Sequence, residues 1–290
     1  MEILVYGEKE LDKDTELLYV YNKIKETAPL HTHDFYEFFV VASGSALHLI
    51  NDSVQTISQG DLFFIRPKDV HCYDFYHSED FVLINLGFSK RMLQRIQYFL
   101  GNTKGMTTLL ESPFPKYIHL EDPQRSDVTR EFLEIGDRMR KALNKVQLSF
   151  YAQTYFAFIL NEYFIDYPEL ELRSRNSPVW LDEVLSEMQR LENLQGGFSK
   201  LLSLSPCSKN HLCRLMKSTL NLTPTQYINE QRLNYSVFLL SQTTNDILTI
   251  SEMVGFNNLS HFYHLFKQRF SCSPAQFRRR TSRSIEKNTQ

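Results

Sequence analysis

A pattern that occurs twice in the last third of the chain constrains the fold more than any other feature. Each copy combines a His with an apolar neighbour, an apolar pair followed by Lys, and a hydroxyl residue followed by Pro. The copies are offset by 50 residues: His211-Leu212, Leu215-Met216-Lys217 and Thr223-Pro224, then His261-Phe262, Leu265-Phe266-Lys267 and Ser273-Pro274. Similarity at a fixed offset indicates a duplicated structural unit. We therefore expect two copies of one small module in this region.

The second copy has the features of short helices joined by turns. Asp246 precedes an apolar run, where an N-cap belongs, and Gly255 follows the last periodic residue, where a helix stop belongs. The next segment places four apolar residues on one helical stripe: Phe262, Leu265, Phe266 and Phe270. Residues 247–278 are therefore predicted to fold as helix, turn and helix, followed by a further turn and helix.

The face opposite this stripe is polar and carries no carboxylate. In the second copy it holds Ser260, His261, His264 and Gln268, and in the first copy the corresponding face holds Asn210 and Arg214. A helix with one buried face and one face of hydrogen-bonding groups suits the DNA major groove, so these residues are candidate DNA contacts. Spacing alone leaves a second interpretation open, which is an ordinary solvated helix face.

A single helix is predicted between the two copies. Thr223 is a suitable N-cap, Pro224 is a favourable first helical residue, and the helix is expected to continue to about Ser241. At ~1.5 Å per residue such a helix spans roughly 27 Å. That length suits two recognition helices held about one turn of DNA apart, which is roughly 34 Å.

Three segments of this region resemble the signature of AraC/XylS-type transcription regulators: Glu252-Met253-Val254-Gly255-Phe256, then Ser260-His261-Phe262 with Phe266-Lys267, then Ser273-Pro274 with Phe277-Arg278. The resemblance extends over residues 179–280. The first copy departs from the pattern at Leu202 and Met216, so its contribution to specificity is less defined. The resemblance implies a sequence-specific regulator that binds double-stranded DNA, with RNA polymerase as a further partner if it activates transcription.

The charge distribution agrees with a DNA-binding C-terminal region. Residues 178–290 contain 13 Lys and Arg against 8 Asp and Glu, a net charge of +5, whereas the rest of the chain carries −7. A basic module suits contacts with phosphates, and an acidic one does not. The closing cluster is either a further phosphate contact or a solvated basic tail, and it consists of Arg278, Arg279, Arg280 and Arg283.

Cysteine usage and hydropathy predict a cytoplasmic protein. The four cysteines show no C-x-x-C spacing, which fits a reducing compartment. The N-terminus lacks the basic patch and apolar run of a signal peptide. The most apolar stretch, residues 148–164, is interrupted by polar side chains, so we expect a buried helix there and no membrane span.

The first 120 residues are predicted to be β-structure. Six short segments are rich in aromatic and β-branched residues and are separated by turn residues: 17–22, 35–41, 46–50, 53–57, 61–65 and 81–88. Short strands at even spacing indicate a sandwich or a barrel. The chain is thus expected to be α+β, with a β domain followed by helices.

A cluster of polar residues lies within this β region. Strand periodicity places His31, His33, Phe35 and Glu37 on one face, and His71 follows later in the chain. The stretch from His31 to Glu37, followed by Gly44, resembles the first cupin motif, and the stretch from Gly60 to Pro67, followed by His71, resembles the second. This resemblance implies a cupin-like jelly-roll. In metal-binding cupins the three histidines and the glutamate surround one divalent ion, so the resemblance makes these four residues candidate ligands for Zn, Fe, Mn or Ni. Recognition of an effector without metal, and a structural hydrogen-bond cluster, are the two alternatives.

The same stretches are similar to the chitobiose-operon regulator group and related sugar-responsive members of the AraC family. That similarity implies a carbohydrate effector, such as an oligosaccharide or a sugar phosphate. The candidate effector-binding residues are the three histidines and the glutamate together with Phe35 and Tyr73, whose rings are suited to stack on a sugar. Phe39, Phe63 and Phe75 are further aromatic candidates, and a role in the core is the alternative for each ring.

Two helices are predicted after the β region, in residues 121–172. Six apolar residues recur at alternating steps of four and three: Val128, Phe132, Ile135, Met139, Ala142 and Val146. Such heptad spacing predicts a helix–helix seam. We expect the seam to join two subunits in a homodimer, and packing against the β domain of the same chain is the alternative. Residues 173–178 have the composition of a linker.

These expectations define one architecture and two candidate functions. The chain is predicted to hold a cupin-like sensor in residues 1–120, a helical segment in 121–172, a linker in 173–178 and a DNA-binding domain in 179–290. The first candidate function is a non-enzymatic transcription regulator that responds to a small molecule, with activation as the expected output. The alternative is a metal-dependent cupin enzyme, an isomerase or a dioxygenase, fused to a DNA-binding module.

Overall fold

The chain folds into two compact units. The computed structural model describes residues 3–24, 29–51, 53–74, 80–101, 104–112, 115–141, 144–165 and 178–279. The N-terminal unit consists of residues 2–46 and 57–171, and the C-terminal unit contains residues 47–56 and 172–290. Residues 173–177 of the predicted linker lie outside the described residues, and Pro178 precedes the first helix of the C-terminal unit.

Ten strands occur among the described residues, and they confirm the predicted β-rich first domain. They are β1 (Leu4–Tyr6), β2 (Leu17–Ile24), β3 (His31–His33), β4 (Tyr36–Ser43), β5 (Ser45–Ile50), β6 (Ser53–Ser58), β7 (Asp61–Ile65), β8 (His71–Asp74), β9 (Phe81–Phe88) and β10 (Tyr117–His119). All six predicted strands are present. The four further strands, β1, β3, β8 and β10, have three or four residues each, which is too short for a period-two pattern to reveal.

One antiparallel sheet forms the framework of the N-terminal unit. Its strand order is β10-β7-β4-β9-β2. In a second sheet β1 pairs with β3 in parallel, and β3 pairs with β8 in antiparallel fashion, with His31 opposite His71. β5 and β6 are neighbours. The framework sheet and the strands β1, β3 and β8 of the second sheet belong to the N-terminal unit, and together they carry the predicted polar cluster.

The register between β4 and β9 determines which side chains share the inner face near the cluster. Glu37 pairs with Gly87, and Phe39 pairs with Asn85. Glu37 and Asn85 are thus diagonal neighbours on one face of the sheet. A Cβ atom on Gly87 would lie 2.9 Å from the Phe35 ring, so glycine at this position leaves the space that the ring occupies.

Two helices interrupt the region predicted to be β-structure. Between β9 and β10 the chain forms α1 (Lys90–Leu100) and α2 (Lys104–Glu111). Ser89 caps α1 by accepting a hydrogen bond from the Met92 backbone amide, and Gly101 ends it with a φ of 83°. Five apolar residues of these helices are buried in the same core as the framework sheet: Met92, Leu93, Ile96, Met106 and Leu109. The expectation that residues 1–120 are β throughout is therefore wrong for this segment, because the two helices pack on the sheet.

The intersubunit seam predicted for the middle helices is also wrong. The helices are α3 (Gln124–Arg140) and α4 (Lys145–Ile159), and residues Leu160–Phe164 continue α4 as a π-helical turn. Val128, Phe132 and Ile135 are at most 1% exposed and belong to the core that includes Phe38 and Phe88 of the framework sheet. Heptad spacing shows that a stripe is buried but does not identify what buries it. Val128, Phe132 and Ile135 pack on the β-structure of their own chain, and Met139 is partly buried against the same core. Val146, at the end of the predicted stripe, is 64% exposed at the start of α4, and Ala142 lies outside the described residues.

Residues 178–279 of the C-terminal unit are helical, as predicted. Its helices are α5 (Val179–Glu187), α6 (Leu191–Leu204), α7 (Lys209–Leu220), α8 (Pro224–Gln242), α9 (Ile247–Met253) and α10 (Leu259–Phe270), and residues 274–279 are also helical. α6 contains a break at Gly197, which has a φ of 58°. α6 with α7, and α9 with α10, are the two predicted helix-turn-helix units, and α8 is the predicted helix between them.

Local hydrogen bonds confirm the predicted helix ends. Thr223 and Gln226 form a capping box at the start of α8. Asp246 caps α9 by accepting from the Thr249 amide, and Gly255 follows α9 with a φ of 94°. Thr223 and Asp246 accept hydrogen bonds from backbone amides that have no partner within the helix. Gly255 adopts a left-handed backbone conformation, which favours glycine.

Each helix-turn-helix unit has its own apolar core. The first is formed around Leu181, Met188, Leu201, Leu212, Met216, Tyr227 and Ile228. In the second, Phe262, Phe266 and Phe270 are buried on the predicted stripe of α10, with Phe256 and Phe277 in ring contact. Within the part of the chain that the structure describes, no helix is both long and apolar enough to cross a membrane.

Candidate functional site

A cavity of about 650 Å³ opens in the N-terminal unit. Its lining comes from both sheets and from the segment after β1: Tyr6, Glu10, Leu18, Val20, Asn22, Lys23, Pro29, His31, His33, Phe35, Glu37, Tyr73 and Asn85. Five of the six predicted effector residues are in this lining, and His71 is fully buried behind it. Small-molecule sites typically have volumes of roughly 300–1,000 Å³, so the cavity has the size of an effector site.

His33 and Glu37 form the polar centre of the cavity wall. His33 Nδ1 lies 2.7 Å from the Phe35 carbonyl oxygen, and because a carbonyl only accepts, Nδ1 carries a proton. The other ring nitrogen, Nε2, lies 3.3 Å from Glu37 Oε2. Asn85 Nδ2 donates to the second oxygen, Glu37 Oε1, over 2.7 Å. Both carboxylate oxygens therefore face a polar partner.

The protonation of His33 follows from these neighbours. Burial lowers the pKa of His33, but the Glu37 carboxylate and the Phe35 carbonyl raise it by more, so its pKa lies above the ordinary value of 6.5. By contrast, burial lowers the pKa of His31, whose Nδ1 is 2.9 Å from the Pro29 carbonyl oxygen. The two histidines of one short strand are thus biased toward opposite charge states.

His31 and His71 lie side by side, next to the His33–Glu37 pair. The His31 and His71 ring centroids are 4.3 Å apart, and the His33 and His71 centroids are 5.5 Å apart in an edge-on arrangement. The Tyr73 hydroxyl lies 3.4 Å from His71 Nδ1. The three imidazoles therefore share one corner of the N-terminal unit, as the sequence predicted from strand periodicity and the second motif.

Three of the four predicted metal ligands are arranged to fit an ion. Ligand atoms of His33, Glu37 and His71 all lie within 4.8 Å of one another, and all three residues are buried. His31 is not part of this group. Two imidazoles and one carboxylate are ligands that divalent transition metals prefer, and a hydrogen bond from the second ring nitrogen to a carbonyl orients metal-binding histidines in general. The residues present therefore fit the implied ion, with His33 losing its Nε2 proton on binding.

Aromatic rings cover part of the cavity. Phe35 stacks on His33 with centroids 4.4 Å apart, and Tyr6 meets His31 edge-on at 5.6 Å. Phe39 and Phe63 stack on each other at 4.6 Å, are fully buried and do not line the cavity, so the core interpretation holds for both. Phe75 lies outside the described residues.

Sequence reasoning missed five polar or aromatic residues of the lining: Tyr6, Glu10, Asn22, Lys23 and Asn85. Two carried a local signal. Asn85 is the one amide in the otherwise apolar strand β9, and Asn22 continues the alternation that starts at Leu18 on β2. Tyr6 and Glu10 come from the start of the chain and reach the cavity through the parallel pairing of β1 with β3, which sequence does not reveal.

The six predicted DNA contacts all lie exposed on α7 and α10: Asn210, Arg214, Ser260, His261, His264 and Gln268. They are held by helices whose opposite faces are buried, so their Cα positions are fixed while their side chains face solvent. Asn258 caps α10 by accepting from the His261 amide over 2.9 Å. Neither recognition helix has an acidic residue in its first turn. This polar face is suited to a polyanion.

The duplication predicted from sequence is visible in hydrogen-bond geometry. Thr223 and Gln226 exchange hydrogen bonds of 2.9 and 3.3 Å after the first unit. Ser273 and Gln276 exchange bonds of 2.9 and 3.2 Å after the second. The recognition helix of each unit is therefore followed by the same capping box.

An effector-sized cavity in a β domain, together with two helix-turn-helix units that expose polar helix faces, defines a ligand-responsive DNA-binding protein. Comparison with protein families supports this class. The family described as AraC-like ligand binding domain matches residues 17–149, and the family described as helix-turn-helix domain matches residues 204–280. The chain therefore combines an AraC-like ligand-binding domain with a C-terminal helix-turn-helix domain, the domain pair of AraC-type DNA-binding transcription regulators.

Individual relatives span nearly the whole chain. The HTH-type transcriptional activator RhaS of an Enterobacter species is 26% identical over 265 residues, which is 89% of this chain and 90% of RhaS. RhaS of Escherichia fergusonii is 26% identical over 263 residues, with the same coverage. Among solved structures, the match to ToxT from Vibrio cholerae covers 91% of this chain and 97% of the ToxT chain. The sequence identity is 12% and the TM-score is 0.34.

Proposed function

We propose that the chain is a transcriptional activator whose N-terminal cavity binds an uncharged carbohydrate, and that the sugar controls binding to DNA. The observation that carries this proposal is the lining of the cavity. It combines the rings of Tyr6, Phe35 and Tyr73 with the hydrogen-bonding groups of Glu37 and Asn85. Sugar-binding requires both, because a pyranose ring has apolar faces and a rim of hydroxyl groups.

The charges of the lining favour a neutral sugar over a sugar phosphate. Glu10 and Glu37 are the carboxylates of the lining, and Lys23 is its lysine. The Lys23 ammonium lies 2.6 Å from the Asp80 carboxylate, so an acid already neutralises it. A phosphate next to two carboxylates is repelled, whereas hydroxyl groups can donate to carboxylates and accept from the Asn85 amide and His33.

The test is calorimetric titration with a panel of neutral mono- and disaccharides and their phosphates. We expect a neutral member to bind, and Glu37→Gln to weaken that binding by at least about tenfold because a charged acceptor is lost. Glu121→Gln, the same change at an exposed position of the N-terminal unit, is the matched control and should bind like the wild type. Preference for the phosphates, or equal binding by the Glu37 variant, would refute the neutral-sugar proposal.

A bound divalent ion is the second candidate for the same residues. Convergence of His33, Glu37 and His71 within 4.8 Å favours it. When bound, a Zn, Fe, Mn or Ni ion would supply a Lewis acid to which sugar hydroxyls can coordinate. Elemental analysis of the purified protein separates the cases. Stoichiometric metal that is lost in Glu37→Gln supports the ion, absence of metal with lost sugar binding supports direct recognition, and unchanged sugar binding without metal leaves a structural cluster.

Catalysis by the cavity is the alternative function. We propose regulation without turnover, and the names of the relatives as transcriptional activators support this. Incubation of the protein with the panel sugars and each of the four metals, followed by product analysis, tests it. Turnover that disappears in Glu37→Gln would show that the cavity is a cupin active site.

The DNA proposal assigns base contacts to the exposed faces of α7 and α10. Arg214 is the member whose planar guanidinium can donate two parallel hydrogen bonds to one guanine. Activation implies contact with RNA polymerase and a cytoplasmic location, since both the promoter and the polymerase are found there. A reporter driven by the selected DNA site, measured with and without the bound sugar, tests the sign of regulation: a rise in transcription is expected, and a fall would indicate repression.

We also propose that two copies associate through the outward face of α4. Val146, Phe150 and Phe158 lie at helical spacing on this face and are 64%, 66% and 49% exposed. After Lys145 the helix has no charged residue, so an antiparallel copy of the same face is complementary to it. Phe150→Asp should yield monomers in sedimentation experiments. Tyr21→Asp, at an exposed aromatic residue of β2, is the control, and a dimer that survives Phe150→Asp would exclude this face.

A further inference from the structure

One arginine of α8 lies at the place where the two helix-turn-helix units meet. Arg232 Nε and Nη2 both donate to the Leu194 carbonyl oxygen, over 3.0 and 2.7 Å, and Nη2 lies 3.5 Å from the Gln195 carbonyl oxygen. Leu194 and Gln195 lie at the start of α6, in the first unit. The helix between the units is thus tied to the first unit by a forked contact.

The other side of the same guanidinium faces the second unit. Its Cζ atom lies 5.6 Å from the centre of the Phe256 ring, in the turn between α9 and α10. A Cβ atom on Gly255 would lie 2.8 Å from Nη2, and one on Gly197 would lie 3.0 Å from it. Both glycines have positive φ, 94° and 58°. One glycine from each unit therefore leaves the space in which the guanidinium sits.

A direct contact between the units lies next to the arginine. Gln195 Nε2 donates to the Met253 carbonyl oxygen over 2.8 Å, at the end of α9. The Leu194-Gln195 segment thus contacts the second unit through one side chain and α8 through its carbonyl groups. Burial lowers the pKa of Arg232, and its guanidinium donates to backbone carbonyl oxygens, which carry no net charge. Its role in the structure is geometric.

We propose that Arg232 is a positioning residue that holds the two helix-turn-helix units at one fixed separation and orientation, and so sets the spacing between the two DNA half-sites that the chain accepts. The inference goes beyond the base contacts proposed for α7 and α10 and rests on DNA binding by both units. A single helix fixes the distance between two units along its axis but leaves each unit able to pivot about its own contact. Contacts away from the axis, at Leu194 and at the turn after α9, remove that freedom.

Lysine cannot replace arginine in this role. The guanidinium presents several donors in a rigid plane, whereas an ammonium is a point donor on a flexible stem. Arg232→Lys keeps the charge and Arg232→Gln removes it. Both substitutions lose the paired hydrogen bonds to the Leu194 carbonyl oxygen. The pair therefore separates a geometric effect from an electrostatic attraction to DNA.

The experiment uses the full chain and the duplex that the wild type selects from a random-sequence library. Affinities are measured for that duplex, for a version with one base pair inserted between the halves, and for a duplex with a single half. One inserted base pair displaces the halves by about 3.4 Å and rotates them by about 35°. Engagement of both units exceeds half-site binding by on the order of 10²–10⁴-fold when the geometry matches.

We expect the wild type to lose at least about tenfold in affinity on insertion, because its second unit disengages. Arg232→Gln and Arg232→Lys should both bind the selected duplex about tenfold more weakly, lose no more than about threefold further on insertion, and keep the wild-type half-site affinity. Gln195→Ala should shift the spacing response in the same direction by a smaller factor, and it serves as the second variant if the arginine variants do not fold.

Three results would overturn the assignment. The first is that the folded variants keep the full wild-type loss of affinity on insertion. The second is that Arg232→Lys behaves as wild type while Arg232→Gln does not, which would indicate a charge effect. A parallel loss in half-site binding would indicate a merely structural role. If the wild type selects no sequence at all, DNA recognition by the two units fails instead, and that outcome is distinct from these three.

Discussion

The proposed effector cavity in the N-terminal unit and the proposed DNA-binding face on α7 and α10 hold their polar residues in opposite ways. In the cavity wall His33 and Glu37 are nearly buried, at 2% and 5% exposed. His33 Nε2 lies 3.3 Å from Glu37 Oε2, and Glu37 accepts a hydrogen bond from Asn85 on β9. On α7 and α10, Arg214 and His264 are exposed on helices whose stability comes from the buried opposite face. The cavity therefore couples recognition to stability, whereas the DNA-binding face separates the two.

Because of this difference, substitutions in the cavity should change both stability and binding, whereas substitutions on the DNA-binding face should change binding alone. A polar group that is buried among partners leaves those partners unsatisfied when it is removed. An exposed group on a helix that is held by its opposite face leaves nothing unsatisfied.

The largest effect is expected on the apolar side of α10. Phe262 is fully buried in the second helix-turn-helix unit. Phe262→Ala should lower the free energy of unfolding by about 3–5 kcal/mol, because it removes a ring and leaves a cavity. His264→Ala, on the opposite face of the same helix, should change it by less than about 0.5 kcal/mol. Denaturant unfolding followed by circular dichroism measures both, and similar losses for the two variants would break the contrast.

Glu37 should respond to substitution in both stability and binding. Glu37→Gln keeps the shape of the side chain but removes the charge that faces His33 and one acceptor of the cluster. We expect a loss of about 1–3 kcal/mol in the free energy of unfolding, together with the loss of sugar binding. Glu121→Gln should have no measurable effect on either. If Glu37→Gln lost sugar binding but kept the wild-type free energy of unfolding, recognition and stability would be separate in the cavity too, as on the DNA-binding face.

Arg214 should respond in binding alone. Arg214→Ala is expected to reduce discrimination at one base pair of the selected site by about 1–3 kcal/mol. The free energy of unfolding should stay within about 0.5 kcal/mol of the wild type. Affinities for duplexes with each position substituted in turn measure the first quantity. Unchanged discrimination at every position would remove Arg214 from the base-reading set.

The smallest effect concerns a partly exposed ion pair in the N-terminal unit. A hydrogen bond from Lys145 Nζ lowers the pKa of Asp12 from 3.8 to about 2. Because the folded state favours the carboxylate, this stabilisation is complete above pH 3.8 and is lost as the pH falls toward 2. Exposure of both side chains limits the contribution to less than about 1 kcal/mol. Asp12→Asn should make the fall in stability over this window smaller than in the wild type, and equal acid profiles would refute the assignment.

Local patterns made much of the fold predictable. The six strands of five or more residues have a local periodicity that their own sequence shows. The helices of both helix-turn-helix units also have local periodicity, together with recognisable caps. Asp246, Thr223 and Gly255 occupy the predicted helix ends. These features depend on neighbours within about four residues, and sequence displays them directly.

Partners from distant segments were not predictable. The stripe through Phe132 and Ile135 was correctly assigned as buried, but the surface that buries it is a sheet of the same chain. Likewise His31, His33 and Glu37 were placed near one another by strand parity, whereas Asn85 reaches Glu37 only through the register of β4 with β9. Register and packing partner depend on the whole fold, which short-range spacing does not encode.

Two half-sites of one DNA site should be read by the two helix-turn-helix units. Selection of DNA by the full chain from a random-sequence library, followed by sequencing of the bound duplexes, tests this directly. We expect two enriched blocks whose centres are about one helical turn apart, roughly 10 base pairs. Arg214→Ala should erase one position in one block, and His264→Ala should change the other block. A single enriched block, or no enrichment, would contradict the claim.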